Sequence, residues 1–184
     1  MPFELSGGWL NGARREPSPN FGPRPPGVAP DLLVIHCISL PPGEYGGPSI
    51  EEFFCNCLDW DSHAYFDEIR GMEVSSHFLI RRDGEVVQFV SCDDRAWHAG
   101  QSTYAGRDNC NDFSIGVELE GTDEATFEPE QYRALADVSR ALFSAYPLMG
   151  SQRVAGHSDI APGRKTDPGP GFDWRQLEDL LAQA

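Results

Sequence analysis

Asp31-Leu-Leu-Val-Ile-His-Cys-Ile38 is a continuous apolar, β-branched run of strand length. A strand that is apolar at nearly every position, rather than at every second one, is covered on both faces, as central strands of parallel and mixed sheets are. The run therefore predicts a central buried strand, with a polar residue, His36, at its end.

The elements on either side follow from that strand. Upstream, Pro17 to Pro30 carries six prolines, which predicts a helix-free surface arm. Downstream, Pro41-Pro-Gly-Glu-Tyr-Gly-Gly47 is a turn-rich loop expected beside His36, and Pro48 opens a short helix through Ile50, Phe53 and Phe54. Val74 to Arg81 and Glu85 to Val90 flank an Arg-Asp-Gly turn, the pattern of an antiparallel hairpin. Asp112 to Glu120 reads as another strand. After Glu128-Pro129, apolar positions from Tyr132 to Tyr146 recur at helical spacing until Pro147 stops them, and Trp174 to Leu181 forms a last amphipathic segment. Together these predict an α/β fold, a central mixed β-sheet flanked by helices. With 184 residues and 40% hydrophobic content the chain is long enough for one core, so a single domain over 1–184 is expected.

Fourteen basic against 29 acidic residues give a net charge of −15, which disfavours nucleic-acid phosphates and anionic membrane surfaces as partners. No stretch approaches the ~20 apolar residues that span a bilayer. The N-terminus has neither a basic n-region nor an apolar h-region, so a cytoplasmic location is expected. Five cysteines without a C-x-x-C pair are expected as reduced thiols.

The chemistry starts from His36. Alone it reads as a hydrogen-bonded core histidine. His157 and Asp167, ten residues apart in G-H-S-D-I-A-P-G-R-K-T-D-P-G-P, change the reading, because packing gives little reason for either in so glycine- and proline-rich a segment. Two imidazoles and a carboxylate are the three ligands of a catalytic zinc that keeps a fourth position open. Imidazole suits zinc, whereas calcium and magnesium want several oxygens, although other divalent metals that favour nitrogen and oxygen remain alternatives. Glu118 shares a strand face with Gly116 and Glu120, opposite Ile115, Val117 and Leu119, and near zinc it would serve as general base; otherwise it belongs to a solvated strand face. Lys165, two residues before Asp167, would stabilise an oxyanion, or else is a solvent-exposed loop lysine.

L-L-V-I-H-C-I-S-L-P-P-G-E-Y-G-G, V-S-S-H-F-L-I-R-R-D-G-E-V-V-Q-F-V, R-A-W-H-A-G, C-N-D-F-S-I-G-V-E-L-E-G-T-D and the His157 to Asp167 segment, in this order, resemble the AmpD family of cytoplasmic muropeptide-recycling amidases. The resemblance runs from about Trp9 to Trp174. It implies the fold of type 2 N-acetylmuramoyl-L-alanine amidases and peptidoglycan-recognition proteins, and cleavage of the amide between the lactyl group of 1,6-anhydro-N-acetylmuramic acid and L-alanine. Matched residue by residue, it implies one catalytic zinc on His36, His157 and Asp167, with Glu118 as catalytic carboxylate and Lys165 as catalytic lysine. It places Tyr65, Trp97 and His98 in cleft-lining segments, and has Arg164 meet a stem-peptide carboxylate. His77, although it recurs in the motif, is assigned to structure. The implied partner is a small soluble muropeptide, and a monomer is expected.

The sequence departs from the family pattern at Cys37, where asparagine is usual, and at Glu73 and Asn109, near positions that tend to carry arginine. Three other functions compete. A lytic amidase acting on intact murein would need export, a non-catalytic recognition module would have lost ligands or the base, and a cysteine hydrolase would pair Cys37 with His36. That last pair is poorly placed, because neighbours on a strand face opposite ways. The arm or the 41–47 loop would be the natural cover for a cleft.

Overall fold

The computed structural model describes residues 3–183. One mixed sheet contains β1 (Arg14–Arg15), β2 (Leu32–Ile38), β3 (Phe78–Ile80), β4 (Val86–Gln88), β5 (Ser114–Glu120) and β6 (Val154–Gly156). Their spatial order is β6-β2-β5-β3-β4-β1, and every neighbouring pair is parallel except the β3–β4 hairpin. The apolar run at residues 32–38 thus lies inside the sheet, between β6 and β5. The strand expected from Asp112 starts at Ser114, because Cys110–Asp112 wind into a 3-10 turn after Asn109, whose φ of 58° is left-handed.

Helices α1 (Ser49–Phe54), α2 (Phe66–Ile69), α3 (Pro129–Ala145), α4 (His157–Ile160) and α5 (Trp174–Ala182) cover the two faces. On one face Leu33, Ile35, Ile115, Val117 and Leu119 pack against the Leu135, Val138 and Leu142 stripe of α3 and Leu177 of α5. Pro129 at the first turn suits α3, since proline lacks only an N–H that would go unpaired there. Gln131 joins this helix start to the sheet: its amide donates to the Ile80 and Glu120 carbonyls, and its oxygen accepts from the Glu128 N–H. Tyr146, held extended by the following proline, ends the helix.

On the opposite face, Leu79, Val87 and Phe89 pack under Ile50, Phe53 and Phe54 of α1, and Leu32 and Val34 pack with Phe113 and Ile160. Between these two clusters the same face carries His36, Gly116 and Glu118, so the gap between apolar patches is where the polar residues gather. The short helix α2 and the one-turn helix α4 add to what the spacing alone predicted, since each is too short to display a helical period.

The proline-rich arm is helix-free, as expected, and it is pinned down rather than loose. Arg24, largely buried, donates to the carbonyls of Cys92, Asn111, Asp112 and Ser114. Asn20 donates to Val74 O and Asn56 Oδ1. So many part-buried bonds leave the arm poorly suited to act as a cover.

Candidate metal centre and cleft

The sheet topology delivers three metal-type ligands to one point. β2 ends with His36 and the two residues after it; β6 ends at Gly156, so His157 follows as the first residue of α4. Asp167 returns on the next loop, whose carbonyl at 167 accepts from the Ser158 N–H at 2.9 Å. This is the carboxyl end of parallel strands, where open α/β sheets place their ligands. His36 Nδ1, His157 Nδ1 and Asp167 Oδ2 form a nearly equilateral triangle with sides of 3.0, 3.1 and 3.1 Å. Tetrahedral ligands with bonds of about 2.0–2.2 Å stand about 3.3–3.6 Å apart, so the triangle needs to open by only a few tenths of an ångström to become one face of such a site. These residues could hold a metal ion.

Their protonation suits the same purpose. Burial lowers the His36 imidazole to about 4, so it is neutral near pH 7. Burial alone would raise the Asp167 carboxyl, but its close contacts with the His157 and His36 rings outweigh it and hold the group below the usual carboxylate range. His157 Nε2 lies 3.2 Å from the Ala99 carbonyl, which can only accept, so that nitrogen carries a hydrogen and Nδ1 is the ring atom turned toward the triangle.

Glu118 stands directly beside His36, because the parallel register pairs these two residues across β5 and β2. The carboxyl is buried and its Oε2 has no hydrogen-bond partner among the described residues. Burial, reinforced by the Asp167 charge and opposed by Lys165, raises it well above the ordinary carboxylate range. The solvated-face reading fails for both glutamates. Glu120 is buried too, but accepts from Arg81 Nη1 at 2.8 Å and Gly46 N at 2.7 Å. Lys165 is exposed and lines the same cleft.

The cleft has a volume of 640 Å³. Its polar side carries His36, Glu118, Lys165 and Asp167, and its apolar side Leu40, Phe53, Ile69 and Met72, with half-buried Tyr65 and Trp97 also in the wall. This apolar side was not foreseen from sequence, because Ile69 and Met72 sit in a short segment without periodicity. His98 reaches the cleft only as a buried floor residue, with its ring nitrogens toward His36 Nε2 at 2.8 Å and Ser114 Oγ at 3.1 Å. Arg164 lines the cleft while its guanidinium donates to Ala99 O at 2.7 Å and Gln101 O at 2.6 Å. His77 is structural, as expected: its Nδ1 accepts from Gly116 N at 3.1 Å.

One expectation needs correction. Only the first part of the 41–47 loop borders the cleft. Tyr45 to Gly47 turn away to a separate 570 Å³ hollow with Arg81 and Glu120, and the Arg82 guanidinium lies over the Tyr45 ring. Burial and a hydrogen bond to Asp123 push the Cys37 thiol far up, which disfavours the thiolate that a cysteine hydrolase needs, in line with its poor placement beside His36. Glu73 and Asn109 are exposed and outside the cleft lining.

Residues 26–170 match the family model described as N-acetylmuramoyl-L-alanine amidase. The chain is 55% identical over 179 residues to the 1,6-anhydro-N-acetylmuramyl-L-alanine amidase AmpD of Escherichia coli (strain K12), covering 97% of each chain. It superposes on a crystal structure of a selenomethionine AmpD derivative with a TM-score of 0.94, at 54% identity, covering 96% of this chain and 98% of that one. AmpDh3 of Pseudomonas aeruginosa, in complex with anhydromuramic pentapeptide, matches at 31% identity and a TM-score of 0.61, over 82% of this chain and 59% of that one. A His-His-Asp triangle with both imidazoles buried and a raised carboxyl beside it, on a fold shared nearly end to end with such enzymes, leads to one assignment: this chain belongs to the N-acetylmuramoyl-L-alanine amidase family.

Proposed function

We propose that this protein is a zinc-dependent amidase that hydrolyses the lactyl–L-alanine amide of 1,6-anhydro-N-acetylmuramyl peptides in cytoplasmic peptidoglycan recycling, working as a single-domain monomer. The substrate reading rests on the activity carried in the names of relatives that match this chain over nearly its full length. The observation that supports the chemistry is the in-register placement of Glu118 beside the ligand triangle. Two imidazoles and one carboxylate favour zinc over hard cations.

Zinc held by His36, His157 and Asp167 would polarise the scissile carbonyl and acidify a water. Glu118 takes the proton from the attacking water, since its burial gives it a proton affinity above that of an ordinary carboxylate. The same carboxyl then returns the proton to the departing alanine amine. Lys165 brings a positive charge to the oxygen that becomes negative in the tetrahedral intermediate. Tyr65 and Trp97 offer aromatic faces to the sugar, and His98 supports the floor beneath it. Arg164 already uses Nε and Nη2 on the Ala99–Gln101 loop. Its remaining Nη1 is the atom with which it would meet a stem-peptide carboxylate.

The test is peptide release from 1,6-anhydro-N-acetylmuramyl tripeptide and from intact murein, followed by mass spectrometry with chelator and Glu118→Ala controls. Release from the anhydro ligand that depends on zinc and Glu118 is expected. Release mainly from murein would make the protein a lytic amidase, and tight binding without release a recognition module.

A further inference from the structure

The two imidazoles of the ligand triangle are held from behind by consecutive residues of one short segment. His98 Nδ1 lies 2.8 Å from His36 Nε2, and the carbonyl of the next residue, Ala99, lies 3.2 Å from His157 Nε2. One side-chain oxygen anchors this segment: Asn111 Oδ1 accepts from both His98 N at 3.0 Å and Ala99 N at 2.7 Å. Asn111 is buried, and its own backbone is tied down by Arg24, which donates to the carbonyls of 111 and 112. Beyond His98, Ser114 Oγ stands 3.1 Å from Nε2.

Space for the His98 ring exists only because residue 116 is glycine. A Cβ there would lie 2.6 Å from the imidazole. The ring meets His36 and His77 edge-on, with centroids 5.0 and 5.8 Å away, so it has little room to turn.

We infer that His98 and the Ala99 carbonyl, anchored together by Asn111, are the positioning elements of the metal site. The inference rests on the metal reading above and deepens it. When His36 Nδ1 presents its lone pair to a metal, its Nε2–H must donate, and His98 Nδ1 is the acceptor. His98 Nε2–H then donates to Ser114 Oγ, and the Ala99 carbonyl fixes His157 in the matching tautomer. Partners of this kind hold ring orientation and strengthen the ligand as a base, and their loss typically costs about 10–100-fold in metal affinity.

The experiment measures zinc affinity by competition with a chromogenic chelator, alongside the urea unfolding midpoint of the metal-free protein, for the parent, His98→Ala, His98→Asn, His98→Gln, Asn111→Ala and Ser114→Ala. In His98→Asn the new carboxamide oxygen would fall near the place of Nδ1 and still accept from His36, whereas in His98→Gln it would fall near Nε2. His98→Ala and His98→Gln should weaken zinc binding about 10–100-fold, Asn111→Ala should weaken it as well, and His98→Asn should recover most of the loss. A purely structural role for His98 would lower the metal-free midpoint and leave zinc affinity nearly unchanged in every variant that folds, and that result overturns the inference. Equal weakening in His98→Asn and His98→Ala overturns it too. If His98→Ala does not fold, Ser114→Ala decides: several-fold weaker binding is expected, and unchanged binding refutes the relay. A parent that binds no zinc removes the metal reading itself, an outcome distinct from variants that bind like the parent.

Discussion

Glu118 and Glu120 are two buried carboxylates on one face of one strand, separated in role by what surrounds them. Glu120 lies against Arg81, an ion pair that serves packing; Glu118 has an oxygen without a partner among the described residues and faces the ligand triangle. Glu118→Gln keeps the shape and removes the proposed base. Its kcat should fall about 10²–10⁴-fold with zinc affinity retained, which steady-state kinetics and chelator competition measure together. The raised proton affinity of Glu118 should place the acid limb of the pH–rate profile above the ordinary carboxylate range. Lys165 opposes that rise, so Lys165→Met should move the limb to still higher pH as well as lowering kcat. His77 tests a different balance. Burial lowers it to about 3, well under its unfolded value, so between about 6.5 and 3 the unfolded chain holds the extra proton. Its contribution to stability is present above pH 6.5 and is lost as pH falls, by up to about 1.4 kcal/mol per pH unit. His77→Asn should therefore show a shallower fall of the metal-free urea midpoint from pH 7 to 4.5. A slope equal to the parent's would contradict that assignment.

At the scale of elements, the decisive feature is the parallel register of β2 and β5, which sets Glu118 level with His36. The apolar run of β2 and the alternation in 114–120 were legible because burial on both faces and a period of two leave marks in residue type. The shared level of the two residues was not, because strand order and register depend on which strands meet. Helix α3 was readable almost to the residue, since 17 residues of helical period end at a proline. Leu135, fully buried against the sheet, should cost about 2–5 kcal/mol when cut to alanine, read as a lower urea midpoint with little change in kcat. Arg164 was legible as a residue of the motif, but its bonds to the 99–101 loop came from tertiary packing. Arg164→Ala should speed hydrogen exchange in residues 99–101, and exchange unchanged from the parent would argue against the clamp.

For the whole molecule, three candidate metal ligands from two distant stretches of the chain converge, so a bound ion should act as a cross-link of the folded state. Zinc at 1,000 times its dissociation constant should stabilise by about 4 kcal/mol, raising the melting temperature by about 8–16 °C for a chain of this size, and chelator should reverse it. Calorimetry with and without chelator checks this. The acidic surface, at net −15, keeps positive charge local: Lys165 and Arg164 are the basic residues of the cleft lining. The sequence by itself determined the central strands, the long helix and the residue types that could ligate a metal, because burial, periodicity and donor chemistry are properties of residues and their spacing along the chain. Only the tertiary structure decided that the arm is pinned by Arg24, that the far half of the 41–47 loop leaves the cleft, and that His98 stands behind His36 on the segment held by Asn111. Those are contacts between residues far apart along the chain, and no local pattern records which distant group will satisfy a buried donor.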